Sequence, residues 1–367
     1  MNVKVSELTL EEKIGQMLIV GMETNYVTDR IKRLIQEYKI GGVILYRKNF
    51  STYEDLGNLI NSLKELNKGN KVPLFISIDQ EGGRVNRMPK EFLNLPPVNK
   101  IAMLKDKALI EESADIISKM LQNFGFNMNF APVLDIKRFS DHHAIGDRAF
   151  GENKEEVIKY GIPFMKKMQE NHIISVIKHF PGHGATSTDS HFLLPVVTKS
   201  MVKLENDDMI PFENAIQNGA DAILVGHLLI RNATGIFPAS LSRKFIGKYL
   251  RKKCKFNGLV VTDDLKMRAI RMIYGEVLAF KKAFEAGNDI IIFRYNKKTE
   301  EKAIREVLKL AKDGKIDIGR VNRSVIRILK MKEKYHVHND KVENNINIEE
   351  INQRIEKIRS KVFTEKS

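Results

Sequence analysis

Residues 178–191 read KHFPGHGATSTDSH and carry three imidazoles, a lysine, an aspartate and two glycines. The stretch is too polar for a core element, and it follows the apolar run IISVI at 173–177. An imidazole changes charge near neutral pH, so each of His179, His183 and His191 is a candidate acid or base. Asp189 lies two residues before His191 on a turn-forming segment, where its carboxylate can accept the ring N–H and raise the ring's basicity. Two other uses compete. The three histidines with Asp189 could ligate a divalent metal, and any one of them could simply bond to loop backbone. Pro181, Gly182 and Gly184 make the loop irregular, so spacing does not define a ligand geometry, and no metal or other cofactor is expected.

A second constellation is GLVVTDDLKM at 258–267. Two carboxylates after a buried strand are costly unless they are paired or functional. One of Asp263 and Asp264 is expected to cap the next helix and the other to point into the mouth formed at the strand ends. A carboxylate aimed at a sugar C1, opposite a proton donor, is the machinery of a retaining glycosidase. A third group joins IDQEGGRVNRM (78–88) to IGDRAFG (145–151). Here Asp79 can hold sugar hydroxyls, Gly82 and Gly83 allow a tight turn, and Arg87 and Arg148 offer planar donor forks. Arg84 is adjacent and receives no role.

Something must bring these stretches to one place. Eight short apolar runs, at 16–22, 41–47, 74–81, 128–136, 175–182, 222–229, 259–265 and 289–295, read as strands buried on both faces. Helical spacing of apolar residues lies between them, for example at 28–39 and 153–171. The alternation predicts an α/β fold, a (β/α)8 TIM-type barrel, with a doubly wound open sheet as the alternative. Asp79, Asp135, His179, His227 and Asp263 all fall at or just after the C-terminal end of a run, and in a barrel those ends converge on one face. Residues 1–335 are assigned to the barrel, and the polar 336–367 to a linker and a helix packing on its exterior.

Bulk properties narrow the function. The net charge of +15 comes from scattered lysines, without a basic block interleaved with aromatics, so no nucleic-acid partner is expected. Cys254 is the single cysteine, which excludes a disulfide framework. The N-terminal MNVKVSELTLEEKIGQMLIVGM reads as a capped helix entering a strand, not as an export leader, and no run reaches the ~20 apolar residues of a membrane span. A cytoplasmic protein, monomeric or weakly dimeric, acting on a small carbohydrate is the expectation.

In order along the chain, GGVILY, SIDQEGGRVNRM, NFAPVLDI, IGDRAFG, KHFPGHGATSTDSH, PASLS and VVTDDLKM resemble the family 3 glycoside hydrolases. The KHFPGHG loop with DSH resembles, more narrowly, the bacterial β-N-acetylglucosaminidases of cell-wall recycling. The resemblance implies Asp263 as nucleophile, His191 as acid/base and Asp189 as its partner. It implies Lys178, His179, Asp79, Arg87 and Arg148 as sugar contacts, and a structural place for His183. It implies exo-hydrolysis of GlcNAc from muropeptide-type fragments. A phosphorylase or a broader β-hexosidase remains the alternative. Ala149 stands where such proteins commonly have serine, and the tail has no counterpart in the resemblance.

Overall fold

Every one of the eight apolar runs contributes a strand: β1 Leu18–Gly21, β2 Gly42–Leu45, β3 Phe75–Ile78, β4 Met128–Asn129, β5 Ile174–Phe180, β6 Ala222–Val225, β7 Leu259–Thr262 and β8 Ile291–Phe293. The computed structural model describes residues 3–140, 144–186, 194–294 and 299–364. Strand pairing runs β7-β6-β5-β4-β3-β2-β1-β8 and all pairs are parallel. The seam between β7 and β8 closes through the Val261–Ile290 bridge, with Thr262 N donating to Ile290 O at 3.0 Å and Ile292 N donating to Thr262 Oγ1 at 3.0 Å. The result is a (β/α)8 barrel. Along all eight strands only His179 is less than fully buried, so the strands are apolar because helices cover one face and the barrel core fills the other.

The crossover helices begin where the sequence supplies side-chain caps. Thr28 caps Asp29–Gln36, and Asn153 Oδ1 accepts from Glu156 N at 2.9 Å to cap Lys154–Glu170. The fourth run departs from expectation. Of 128–136, only Met128–Asn129 forms ladder, because Pro132 has no N–H to donate. The chain nevertheless stays beside β5: Leu134 N donates to Lys178 O at 2.7 Å and Lys178 N to Pro132 O at 3.1 Å. That path leaves Asp135 wholly buried under the end of β5.

At the opposite end of the barrel, Lys332 reaches in from the helix Ile318–Lys334. Its buried ammonium donates to Gln16 Oε1, Gly41 O and Pro73 O at 2.8, 2.9 and 2.6 Å, residues that precede β1, β2 and β3. The last helix, Ile348–Thr364, buries Ile351, Ile355 and Ile358 against the helices Val98–Met103 and Lys107–Phe124. None of the helices among the described residues is long and apolar enough to cross a membrane.

Candidate active site

The C-terminal strand ends surround a cavity of about 360 Å³, at the small end of the ~300–1,000 Å³ typical of small-molecule sites. Tyr46, Asp79, Asp263 and Arg294 are each the first residue past their strand, and Lys178 and His179 lie in the last turn of the ladder of β5. Arg87 and Arg148 enter the same cavity from the loops that follow β3 and β4. Thus Asp79, Arg87, Arg148, Lys178, His179 and Asp263, residues 79 to 263 along the chain, meet at one mouth. Asp189 and His191 lie outside the described residues.

Lys178 sits at the floor, its ammonium 2.7 Å from Asp79 Oδ1 and 2.5 Å from Glu81 Oε1. Arg148 grips the same Glu81 through two parallel bonds of 2.8 Å, while its Nη1 donates to Ala144 O. Burial raises the Glu81 carboxyl's pKa, but Arg148 and Lys178 reverse this and hold it well below the usual carboxylate range. Arg148 is conversely held above its ordinary value: burial opposes its charge, and Glu81 more than compensates. Lys178 and Arg148 are thereby aimed with N–H groups left over, and Asp79 keeps its second oxygen. Arg87 has no partner for its guanidinium among the described residues. An array of spare donors and acceptors around a single-ring volume suits a polyhydroxylated ligand.

His179 follows Lys178 across a cis peptide. Its Nδ1 lies 2.7 Å from Asp135 Oδ2, which also accepts the His179 amide, while Asp135 Oδ1 accepts the His183 amide at 2.6 Å. Burial raises the pKa of Asp135, and the two histidines bring it below its ordinary value. A buried carboxylate can only accept here, so Nδ1 carries a proton and the ring's orientation is fixed. His183 is buried, and that burial with the neighbouring His179 lowers its pKa to about 4, so it is neutral at pH 7. Gly182 and Gly184 serve close packing: a Cβ would lie 2.8 Å from Asp208 Cβ at the first and 2.0 Å from Ile136 O at the second.

The aspartate pair divides its labour in an unexpected way. Asp263 lines the cavity, with Oδ1 accepting the Asp264 amide at 2.8 Å. Asp264 does not cap the helix Arg268–Tyr274. Its Oδ1 accepts from Lys266 N and Arg294 N, both at 3.0 Å, and Oδ2 pairs with Arg294 Nε at 3.1 Å. It therefore ties the end of β7 to the end of β8. Burial raises its pKa, partly offset by Arg294. His227, another strand-end residue, is a structural tie: Nε2 donates to Asp264 O at 3.0 Å and Nδ1 meets Ser240 Oγ at 2.6 Å. Arg84 bridges to Asp147 at 2.7 Å and to the 144–145 backbone, fastening two rim loops.

Sequence reasoning passed over Glu81, Tyr46 and Arg294. Arg294 stacks 4.7 Å above the Tyr46 ring as well as pairing with Asp264. Glu81 had a visible signal, being two residues beyond Asp79 on the same strand end, but its two cations lie far off in the chain. Replacing Glu81 with Gln leaves Arg148 without its anion and Lys178 with Asp79 alone. We expect a loss of ~3–5 kcal/mol of stability in denaturant unfolding. The sign with pH follows: a carboxyl held low in the folded state stabilises fully above its ordinary 4.5 and loses that contribution as acid is added below it. The wild type should therefore weaken more steeply than Glu81→Gln below that pH.

Residues 9–331 match the Glycosyl hydrolase family 3 N terminal domain. A beta-hexosaminidase of Xylella fastidiosa (strain M23) is 32% identical over 282 residues, covering 75% of this chain and 82% of the relative. A solved glycoside hydrolase family 3 beta-N-acetylglucosaminidase from Paenibacillus sp. str. FPU-7 superposes with a TM-score of 0.91 at 33% identity, covering 97% of this chain and 69% of the other. CbsA from Thermotoga neapolitana, solved with zinc bound, gives a TM-score of 0.79 at 29% identity over 90% of this chain and 69% of that one. With the match running from the first helix through the last barrel helix, and with a carboxylate, a lysine–histidine pair and two arginines gathered at the mouth, the chain belongs to glycosyl hydrolase family 3.

Proposed function

We propose that the protein is an exo-acting, retaining β-N-acetylglucosaminidase that removes terminal GlcNAc from peptidoglycan fragments in the cytoplasm. What carries the reading is the cavity of about 360 Å³, sized for one sugar ring, with Asp263 at its wall and the Lys178–Asp79–Glu81 and His179–Asp135 pairs at its floor. The named activities of the relatives support the same chemistry.

Asp263 attacks C1 while the leaving oxygen takes a proton from His191, giving a covalent glycosyl-enzyme. His191 then deprotonates water, which attacks C1 and releases the sugar with its original anomeric configuration. The Asp264 amide on Oδ1 orients the nucleophile, and it still has a hydrogen bond to give when that carboxylate leaves C1. Asp189 orients the imidazole. Asp79, Lys178, His179, Arg87 and Arg148 take the ring hydroxyls. An imidazole acting as base carries no negative charge, so phosphate in place of water is the alternative second nucleophile.

Aryl β-GlcNAc should be hydrolysed at least ~10-fold faster than aryl β-glucoside, judged by kcat/KM, because polar atoms that bond the acetamido group in the proposed reaction are left unpaired by the glucoside. Assays with and without phosphate separate free GlcNAc from GlcNAc 1-phosphate as product, and an EDTA arm tests a metal. Preference for the glucoside, or loss of turnover in EDTA, would overturn the reading.

A further inference from the structure

The loop 79–97 that carries Asp79, Glu81 and Arg87 is tied down from within at only a few points. Glu81 N donates to Val85 O at 3.0 Å and Arg87 N to Gln80 Oε1 at 2.7 Å, which shapes the tip. Gly83, with φ +55°, accepts at its carbonyl from Asn94 Nδ2 at 2.6 Å and donates its amide to Leu95 O at 2.9 Å. The return half, 91–95, is therefore one support of the ligand-bearing half, beside the Glu81 pairs with Arg148 and Lys178. The side chains of the return half are held by the barrel, with Phe92 and Leu95 buried and Tyr53 N donating to Glu91 Oε1 at 3.2 Å, while its backbone is also held from the far end of the chain.

Asn352, in the helix Ile348–Thr364, pairs with backbone on both sides of Phe92. Its Oδ1 accepts from Leu93 N and its Nδ2 donates to Glu91 O, each at 2.8 Å. About two turns further along, Arg359 Nη1 donates to Asn94 O at 3.2 Å. The helix is seated independently of these contacts. Arg354 pairs with Glu112 at 2.7 Å and Asp115 at 2.6 Å, and Ile351, Ile355 and Ile358 are buried. The segment leading to it is held as well, with Asn123 Oδ1 accepting from Asn345 N and Ile346 N. Docking and bracing thus use different side chains of one helix.

We infer that the C-terminal helix positions the sugar-binding loop, through a relay from Asn352 and Arg359 to the 91–94 backbone, from Asn94 to Gly83, and so to Glu81 and Arg87. Asn352 and Arg359 are positioning residues, since neither lines the cavity. The inference rests on the proposed function for its choice of substrate. Loop contacts that hold sugar in both the bound ground state and the transition state act on KM rather than kcat.

The test is the full-length double variant Asn352→Ala/Arg359→Ala, compared with Arg354→Ala, which loosens docking alone. The double variant should raise KM for aryl β-GlcNAc about 5- to 20-fold with kcat within about threefold, as lost backbone contacts of this kind allow. Amides of 81–97 should exchange faster, and those of β6 and β7 at the wild-type rate. Arg354→Ala should lower thermal stability and leave KM alone. An unchanged KM with unchanged exchange in 81–97, or a fall in kcat that tracks global destabilisation in all variants, would overturn the inference. Should the wild type turn over no aryl glycoside, the functional reading fails, while the exchange data still decide whether the helix orders the loop.

Discussion

Asp263→Ala is expected to lower kcat/KM for aryl β-GlcNAc by ~10⁴-fold or more, as removal of a group that forms the covalent intermediate does. Its side chain is half-buried at the rim, outside the core, so the fold should survive and circular dichroism should not change. Azide makes the prediction specific. In the shortened side chain's place the anion can attack C1 of an activated β-glycoside from the same face, so turnover should return and the product should be the α-glycosyl azide. Asp264→Ala should behave in the opposite way. It removes acceptors for Lys266 N and Arg294 N and the ion pair to Arg294 Nε, so a stability loss of ~2–3 kcal/mol is expected, with the folded fraction still able to form the intermediate. If Asp264→Ala were the inactive and azide-rescued variant, the assignment of the nucleophile would be wrong.

The contrast between those two aspartates marks how far the sequence could be read. The strands were legible because both of their faces are covered, which writes a largely apolar run at each of the eight positions. The site was legible for the same reason: a polar residue directly after such a run has to lie at the barrel mouth, which locates Asp79, His179 and Asp263 without any knowledge of distance. What could not be read was pairing across the chain. Glu81 is defined by Lys178 and Arg148, Asp264 by Arg294, and Lys332 by three barrel-bottom acceptors near residues 16, 41 and 73. These contacts are set by which strand ends lie next to each other in space, and local spacing carries no trace of that. The packing role of Gly182 and Gly184 was not legible for a related reason. The residues they admit to close range, Asp208 and the Ile136 carbonyl, lie elsewhere in the chain.

His191→Ala is expected to slow turnover by ~10²–10⁴-fold, the range that general acid–base help supplies. The loss should depend on the leaving group in a way that no structural defect imitates. An alkyl or sugar leaving group needs a proton to depart, so its substrates should lose the most in kcat/KM. A nitrophenolate departs unassisted, so glycosylation of Asp263 should persist and the second step, which needs the same residue as base, should limit the rate. A burst of nitrophenol followed by a slow steady state is then expected. Azide again separates the roles, since it needs no base: it should accelerate the steady state and yield the β-glycosyl azide, the anomer opposite to that from Asp263→Ala. Asp189→Ala should show a smaller loss of the same character, because the imidazole remains and only its orientation is lost. Equal losses for activated and unactivated leaving groups, without a burst, would remove His191 from the acid/base role and move the search to the other proton carriers at the barrel mouth.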